Sequence, residues 1–128
     1  MRGIILVGHG SREPYNKDVI TYFANRLKEK YEYVGYAFMQ INTPSIKDAL
    51  LEAVNKGVKE IVVQPVFLTR GIHVDYDIPE ILNMPPGVKK AILEYSGKKI
   101  RVFLGEPIGR DDRLLEILID RIEEALKD

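Results

Sequence analysis

The sequence predicts an open α/β sheet with helices on both faces, and three observations lead to it. Short apolar, β-branched runs alternate along the chain with stretches of helical periodicity. The runs at residues 3–8 and 60–67 are nearly continuous in apolar residues, as expected of strands covered on both sides. Glycine-bearing loops then follow the run at 3–8 directly and the run at 60–67 within a few residues.

Residues 3–8 form the first strand, which ends in Gly8-His9-Gly10-Ser11. Pro14 opens a helix on which Val19, Ile20, Phe23 and Leu27 fall at helical spacing, with Lys28, Glu29 and Lys30 near its exposed end. Residues 33–39 are the second strand, with Val34, Tyr36 and Phe38 alternating against Gly35 and Ala37. Thr43-Pro44 reads as the start of the second helix, threonine capping the free N–H groups and proline taking the first helical position. Ile46, Leu50, Ala53 and Val54 share one face of it, and Gly57 stops it.

The third strand, residues 60–67, is central in character. Pro65 has no N–H to give the ladder and marks where that strand ends. Residues 78–82 read as a short helix with Pro79 in its first turn. Residues 84–99 are the least regular part, with a break at Met84-Pro85-Pro86-Gly87, a helical turn within 88–94 and a turn at Ser96-Gly97-Lys98-Lys99. The fourth strand is 100–104. Asp111 or Asp112 caps a last helix lined on one side by Leu115, Leu118, Ile119, Ile122 and Leu126.

The order β-α-β-α-β-α-β-α implies a four-stranded parallel sheet with right-handed crossovers, a flavodoxin-like three-layer sandwich in strand order 2-1-3-4. The 128 residues suit a single domain, 1–128, without internal repeats. Lys plus Arg and Asp plus Glu both number 19, so the formal charge is zero, which argues against a nucleic-acid partner. There is no cysteine, which removes thiolate catalysis and Cys-type zinc sites. The apolar runs are too short to cross a bilayer, and the N-terminus lacks signal-peptide shape. No membrane partner and a cytoplasmic location are expected.

Ligands of open α/β sheets sit beyond the carboxyl ends of the strands, where strand order reverses. The only two histidines, His9 and His73, follow the first and third strands, which are neighbours at that point. Neutral imidazole is a ligand for divalent transition metals and also accepts protons near neutrality. Two histidines without a thiolate make an open site, suited to a metal that is passed on. Gly8, Gly10 and Gly71 allow sharp turns and close approach to a ligand. Ser11 and Arg12 either bind an anion at the first helix N-terminus or, for Ser11, simply cap it. Arg70 either pairs with substrate carboxylates or is solvated. Asp75, Asp77 and Glu106 are acids that orient a histidine, help capture a cation, or serve as caps and surface pairs.

Gly-His-Gly-Ser-Arg after the first strand, Thr43-Pro44-Ser45-Ile46, Pro65-Val66-Phe67-Leu68, Gly71-Ile72-His73-Val74, Asp77-Ile78-Pro79 and Glu106-Pro107-Ile108-Gly109 occur in this order. The ordered set resembles the sirohydrochlorin chelatases in their short archaeal, single-lobe form, from residue 4 to about residue 120. The resemblance implies an ATP-independent class II metal chelatase, a lyase that inserts Co2+ or Ni2+ into a sirohydrochlorin-type tetrapyrrole with release of two protons. The product would serve cobalamin or nickel-tetrapyrrole biosynthesis. It implies no cofactor beyond the substrate metal, and a homodimer that rebuilds the cleft of larger two-lobed relatives. By position, His9 matches the proton acceptor and a metal ligand, and His73 the second ligand. Substrate contacts would fall on Gly10, Ser11, Arg12, Thr43 and the loop of Leu68, Thr69, Arg70, Gly71, Ile72 and His73. Relatives often carry glutamate where this chain has Gln40 and Thr43, neither of which accepts a proton as a carboxylate does. Open two-histidine coordination also suits a non-catalytic carrier of metal or tetrapyrrole. A hydrolase built on Ser11 and His9 lacks the Gly-x-Ser-x-Gly elbow.

Overall fold

A computed structural model describes residues 1–127 of the chain. Its strands are β1 (Arg2–Gly8), β2 (Tyr33–Phe38), β3 (Glu60–Pro65), β4 (Lys90–Tyr95) and β5 (Lys98–Leu104). They form one sheet in the order β2-β1-β3-β5-β4. The helices are α1 (Tyr15–Leu27), α2 (Ile46–Asn55), the short α3 (Ile78–Ile81) and α4 (Asp112–Leu126); one π-helical turn, His73–Asp77, leads into α3. No helix among the described residues is long and apolar enough to cross a membrane.

The α/β class and the parallel core hold, with β1 parallel to both β2 and β3, and β3 parallel to β5. The strand count is five rather than four. The stretch 88–94, expected to hold a helical turn, instead supplies most of β4 (residues 90–95), an edge strand antiparallel to β5. Ser96 and Gly97, at φ 51° and 74°, make the two-residue turn between them. Positive φ at both positions is the hairpin turn that matches strand twist. Ala91, Leu93 and Tyr95 face the core, but Ile92 sits on the outer face, 69 % exposed, and blurs the alternation.

The sheet has two unequal faces. Ile5, Val7, Ala37, Ile61, Val63 and Val102 pack against Ile46, Leu50, Ala53 and Val54 of α2 and against Ile78 and Leu82 around α3. The opposite face buries Ile4, Leu6, Val34 and Phe38 beneath Ile20 and Ala24 of α1. Val19 and Phe23, expected on the core side of α1, are about half exposed, because the inward stripe is Ile20, Ala24 and Leu27. Over β3 and β5 this second face is bare. There, Arg2, Ile4, Leu6, Leu27, Tyr31, Val62, Gln64 and Phe103 line an open groove of about 480 Å3.

Pro65 closes β3 as its missing donor requires. The α2 cap is Ser45, whose Oγ accepts from the Asp48 N–H at 3.2 Å, not Thr43. The Thr43-Pro44 peptide is cis and belongs to the preceding turn, where the Pro44 carbonyl accepts from the Phe38 N–H at 3.0 Å. α4 is capped by Asp111, which accepts from the Arg113 N–H at 2.9 Å. The apolar side of α4 is present as expected, yet none of its residues is buried.

Candidate functional site

The parallel register sets Val7 opposite Pro65, so β1 and β3 end side by side. The Val66 N–H donates to the Val7 carbonyl and the Met39 N–H to the Gly8 carbonyl, at 2.9 and 3.0 Å. These bonds hold the starts of three loops together at the end of the sheet. His9 leaves β1 directly into this space. The chain after β3 runs out through residues 66–72 and turns back at the π-helical turn, where His73 is the first residue.

The two imidazoles meet, with Nε2 of His9 3.2 Å from Nε2 of His73. The rings stand edge to face, their centroids 4.9 Å apart. Phe67 lies against both, at 6.1 Å from His9 and 6.2 Å from His73, an apolar wall behind the pair. His73 Nδ1 donates to Asp77 Oδ2 at 2.8 Å, which leaves the Nε2 lone pair of His73 facing His9. His9 Nδ1 has two neighbours, the Gly10 carbonyl at 3.3 Å and the Gln40 Nε2 amide at 3.5 Å. It therefore has a partner in either tautomer. With its proton on Nε2 it bridges to His73 and accepts from Gln40; with its proton on Nδ1 it donates to Gly10 and frees Nε2.

Two nitrogens bound to one ion at about 2.0–2.1 Å lie roughly 2.9–3.4 Å apart for octahedral or tetrahedral angles. The observed 3.2 Å falls inside that range, so both Nε2 atoms fit one small divalent cation. No cluster of three or more His, Cys, Asp or Glu that could hold a metal occurs among the described residues. The remaining ligands of an ion seated here would come from water or from another molecule. Both histidines are open to solvent on one side, and His73 and Asp77 line a shallow groove of about 460 Å3 with Gln40, Lys47 and Glu80.

The other expected site residues are distributed over three adjoining loops. Gly10 is buried at φ +91°, and a Cβ there would collide with the Gln40 carbonyl oxygen, so only glycine fits. The Gly10 N–H donates to Asn16 Oδ1 at 3.0 Å, and the Ser11 N–H to Asn42 Oδ1 at 2.8 Å. Ser11 Oγ accepts from Glu13 N–H in the turn before α1 rather than capping the helix, whose first residue is Tyr15. Arg12 and Thr43 are exposed, as are Leu68, Thr69, Arg70, Gly71 and Ile72 in the loop before His73. The Arg70 guanidinium is engaged by Asp75 and Glu106. Asn16 and Asn42 were not singled out from the sequence, and Phe67 appeared only within the Pro65-Val66-Phe67-Leu68 motif, without a role. The asparagines carried a signal as loop and first-turn residues flanking glycine-rich chain.

Fold and site together define an α/β domain with two facing imidazoles at the point where strand order reverses. Comparison with known proteins gives its family. The family model described as CbiX matches residues 3–125. The sirohydrochlorin cobaltochelatase of Methanococcoides burtonii is 37 % identical over 126 residues, covering 97 % of this chain and 96 % of that one. The sirohydrochlorin cobaltochelatase of Methanopyrus kandleri is 36 % identical over 140 residues, covering 98 % of each chain. Among solved structures, the CbiX protein of Marinobacter aquaeolei superposes with a TM-score of 0.73 at 28 % identity, covering 98 % of each chain. The sirohydrochlorin chelatase SirB of Bacillus subtilis in complex with cobalt gives 0.78 at 25 % identity, covering 96 % of this chain but 50 % of that one. The chain belongs to the CbiX family of sirohydrochlorin chelatases, a family of metal chelatases.

Proposed function

We propose that the protein inserts Co2+ into a sirohydrochlorin-type tetrapyrrole, without ATP, and that His9 and His73 are the residues that present the ion. The observation that carries this reading is the 3.2 Å approach of the two Nε2 atoms, a cis-ligand spacing, at the end of the sheet. The cobaltochelatase names of relatives aligned along nearly the whole chain support the same metal and ring. Ni2+ is a second admissible ion, since imidazole binds it at least as tightly as Co2+. The product then enters cobalamin or nickel-tetrapyrrole synthesis in the cytoplasm.

The proton path follows from the tautomers. In the metal-free site one proton lies between the two Nε2 atoms. The ion takes its place, and that proton shifts to Nδ1 of His9, toward Gly10, so that His9 stays a neutral ligand. As the ion passes into the ring, two pyrrole N–H protons must leave. The vacated Nε2 of His9 takes one and water carries the other. Seating ion and ring in one place removes much of the entropic cost of their encounter. Gly10, Ser11, Arg12, Thr43 and residues 68, 69, 71 and 72 border the space where the carboxylate-bearing rim would lie. The test is multiple turnover, followed by the absorbance change of the tetrapyrrole with Co2+ and ring in excess. His9→Ala is expected to slow insertion by about 10²-fold or more, the size of a lost acid–base group. Insertion at the wild-type rate would overturn the mechanism, and stoichiometric binding without turnover would favour a carrier.

We also propose a homodimer. Its support is the match between two surfaces of one chain. The apolar side of α4 is uncovered, and so is the sheet face beside α1, where an open groove of about 480 Å3 lies over β3 and β5. Ile108 and Gly109, just before α4, donate to the Phe67 and Leu68 carbonyls at 2.9 and 2.7 Å. These bonds hold the linker at the site end of the sheet and leave α4 off its own groove. A second copy supplies the missing occupant. The groove edge carries Arg2 and Arg101 around Glu60, and one flank of α4 carries Asp112, Glu116 and Glu123, so the charges agree. The SirB chain, about twice as long as this one, is consistent with a working unit of two lobes.

A further inference from the structure

We infer that Arg70 is a positioning residue that latches the His73-bearing loop to the β5–α4 linker, rather than an anchor for substrate carboxylates. The inference rests on the reading of His73 as a metal ligand. Residues 66–72 cross from β3 to the π-helical turn at the surface, and residues 68–72 are all exposed. A loop of this kind has little packing to hold it still. Arg70 stands near its middle and reaches both ways.

Toward the histidine, its Nε and Nη2 approach Asp75 Oδ1 at 3.2 and 3.1 Å. Asp75 is two residues past His73 in the same π-helical turn, and its own N–H donates to the Gly71 carbonyl at 2.8 Å. Toward the sheet, Nη1 meets Glu106 Oε2 at 2.8 Å. Glu106 is itself held, its other carboxylate oxygen 3.3 Å from Lys89 Nζ and its backbone carbonyl accepting from Gln64 Nε2 at 2.6 Å. Gln64 lies in β3, so the chain of contacts runs from the π-helical turn to the sheet. Two carboxylates already occupy the guanidinium, and a third from a substrate would have to displace one of them.

A single exposed ion pair contributes little, but a network of four charges pinned at both ends gains from geometry. Its effect is to narrow the positions available to His73 Nε2 opposite His9.

The test compares Arg70→Ala, Arg70→Lys, Glu106→Gln and the double variant Arg70→Ala/Glu106→Gln in the full-length protein. Co2+ alone is titrated and followed by the visible absorption of imidazole-bound cobalt, with His9→Ala as the control for the site. Arg70→Ala and Glu106→Gln are each expected to weaken Co2+ binding by roughly three- to tenfold. The double variant should be little worse than either, since both break one network. Arg70→Lys should recover part of the loss, and KM for the tetrapyrrole should stay nearly constant. A raised KM in Arg70→Ala, with Co2+ affinity intact and Glu106→Gln silent, would overturn the latch and make Arg70 a substrate anchor. Amide hydrogen exchange of residues 71–77 keeps the two readings separate. Faster exchange in both single variants supports the latch even if wild-type protein binds no Co2+, an outcome that would sink the metal-site reading instead. Unchanged exchange would sink the latch.

Discussion

Asp77 decides which nitrogen of His73 faces the site. With Nδ1 held at 2.8 Å by the carboxylate, Nε2 is the only lone pair His73 has to offer an ion. Carboxylates that orient a ligating imidazole typically contribute 10- to 100-fold in metal affinity. Asp77→Ala is therefore expected to weaken Co2+ binding by about that factor, with helix content unchanged, as read by cobalt titration beside circular dichroism. Wild-type affinity in this variant would mean that His73 is oriented by packing on Phe67 alone. At this scale the sequence was informative but incomplete. The two histidines could be located because the ends of β1 and β3 are topologically adjacent. Asp77 was recognisable as an acid one turn past His73, though not as its partner in preference to Asp75 or Glu106. Phe67 stood in a family-like motif but gave no sign of its role beside the histidines, since a phenylalanine at a strand end usually belongs to the core.

Among the elements, the strands read best where both faces are covered and worst at the edge. β1 and β3 are apolar almost throughout because helices pack on each side over part of their length. β4 is an edge strand with one covered face, and Ile92 on its open side mimics a helical stripe. Ser96-Gly97 was visible as a turn, but its meaning as a two-residue hairpin depends on a strand existing on each side. Thr43 lost the capping role to Ser45 because the chain must first bond back to β2 through Pro44, which delays the helix by two residues. α4 makes a cleaner case. Its cap, Asp111, is bonded to the Arg113 backbone and guanidinium, and these bonds lower its carboxyl from 3.8 to about 2. A lowered folded value means that the cap stabilises the helix above the ordinary carboxylate range and fades as pH falls through about 2. The first turn of α4 should thus stay ordered at pH 3, and amide exchange at residues 112–115 should rise only below that. Asp111→Ala should show the fast exchange at neutral pH. Equal exchange in the two proteins at pH 7 would remove the cap from the account.

For the whole molecule, the periodicity of Leu115, Leu118, Ile119, Ile122 and Leu126 announced a helix with one apolar side but could not say what that side covers. Among the described residues nothing covers it, and no α4 residue is buried. Each of these side chains gains roughly 1.5–3 kcal/mol on full burial. Two helices exchanged between copies would bury ten of them, enough to offset the about 4–15 kcal/mol that association costs. The proposed seat is the open sheet face lined by Val62, Phe103 and Leu27. A charge placed in the middle of the stripe should be incompatible with that seat while leaving the α4 backbone, its cap and the His9–His73 pair as they are. Ile119→Asp combined with Ile122→Asp is accordingly expected to sediment as a monomer where the wild-type chain sediments as a dimer. The variant should still bind Co2+ through its own two imidazoles, but turn over tetrapyrrole at least tenfold more slowly if the second lobe completes the proposed cleft. A variant that remained dimeric would move the interface off α4. A monomeric wild-type chain at full activity would mean that a single lobe is the whole chelatase.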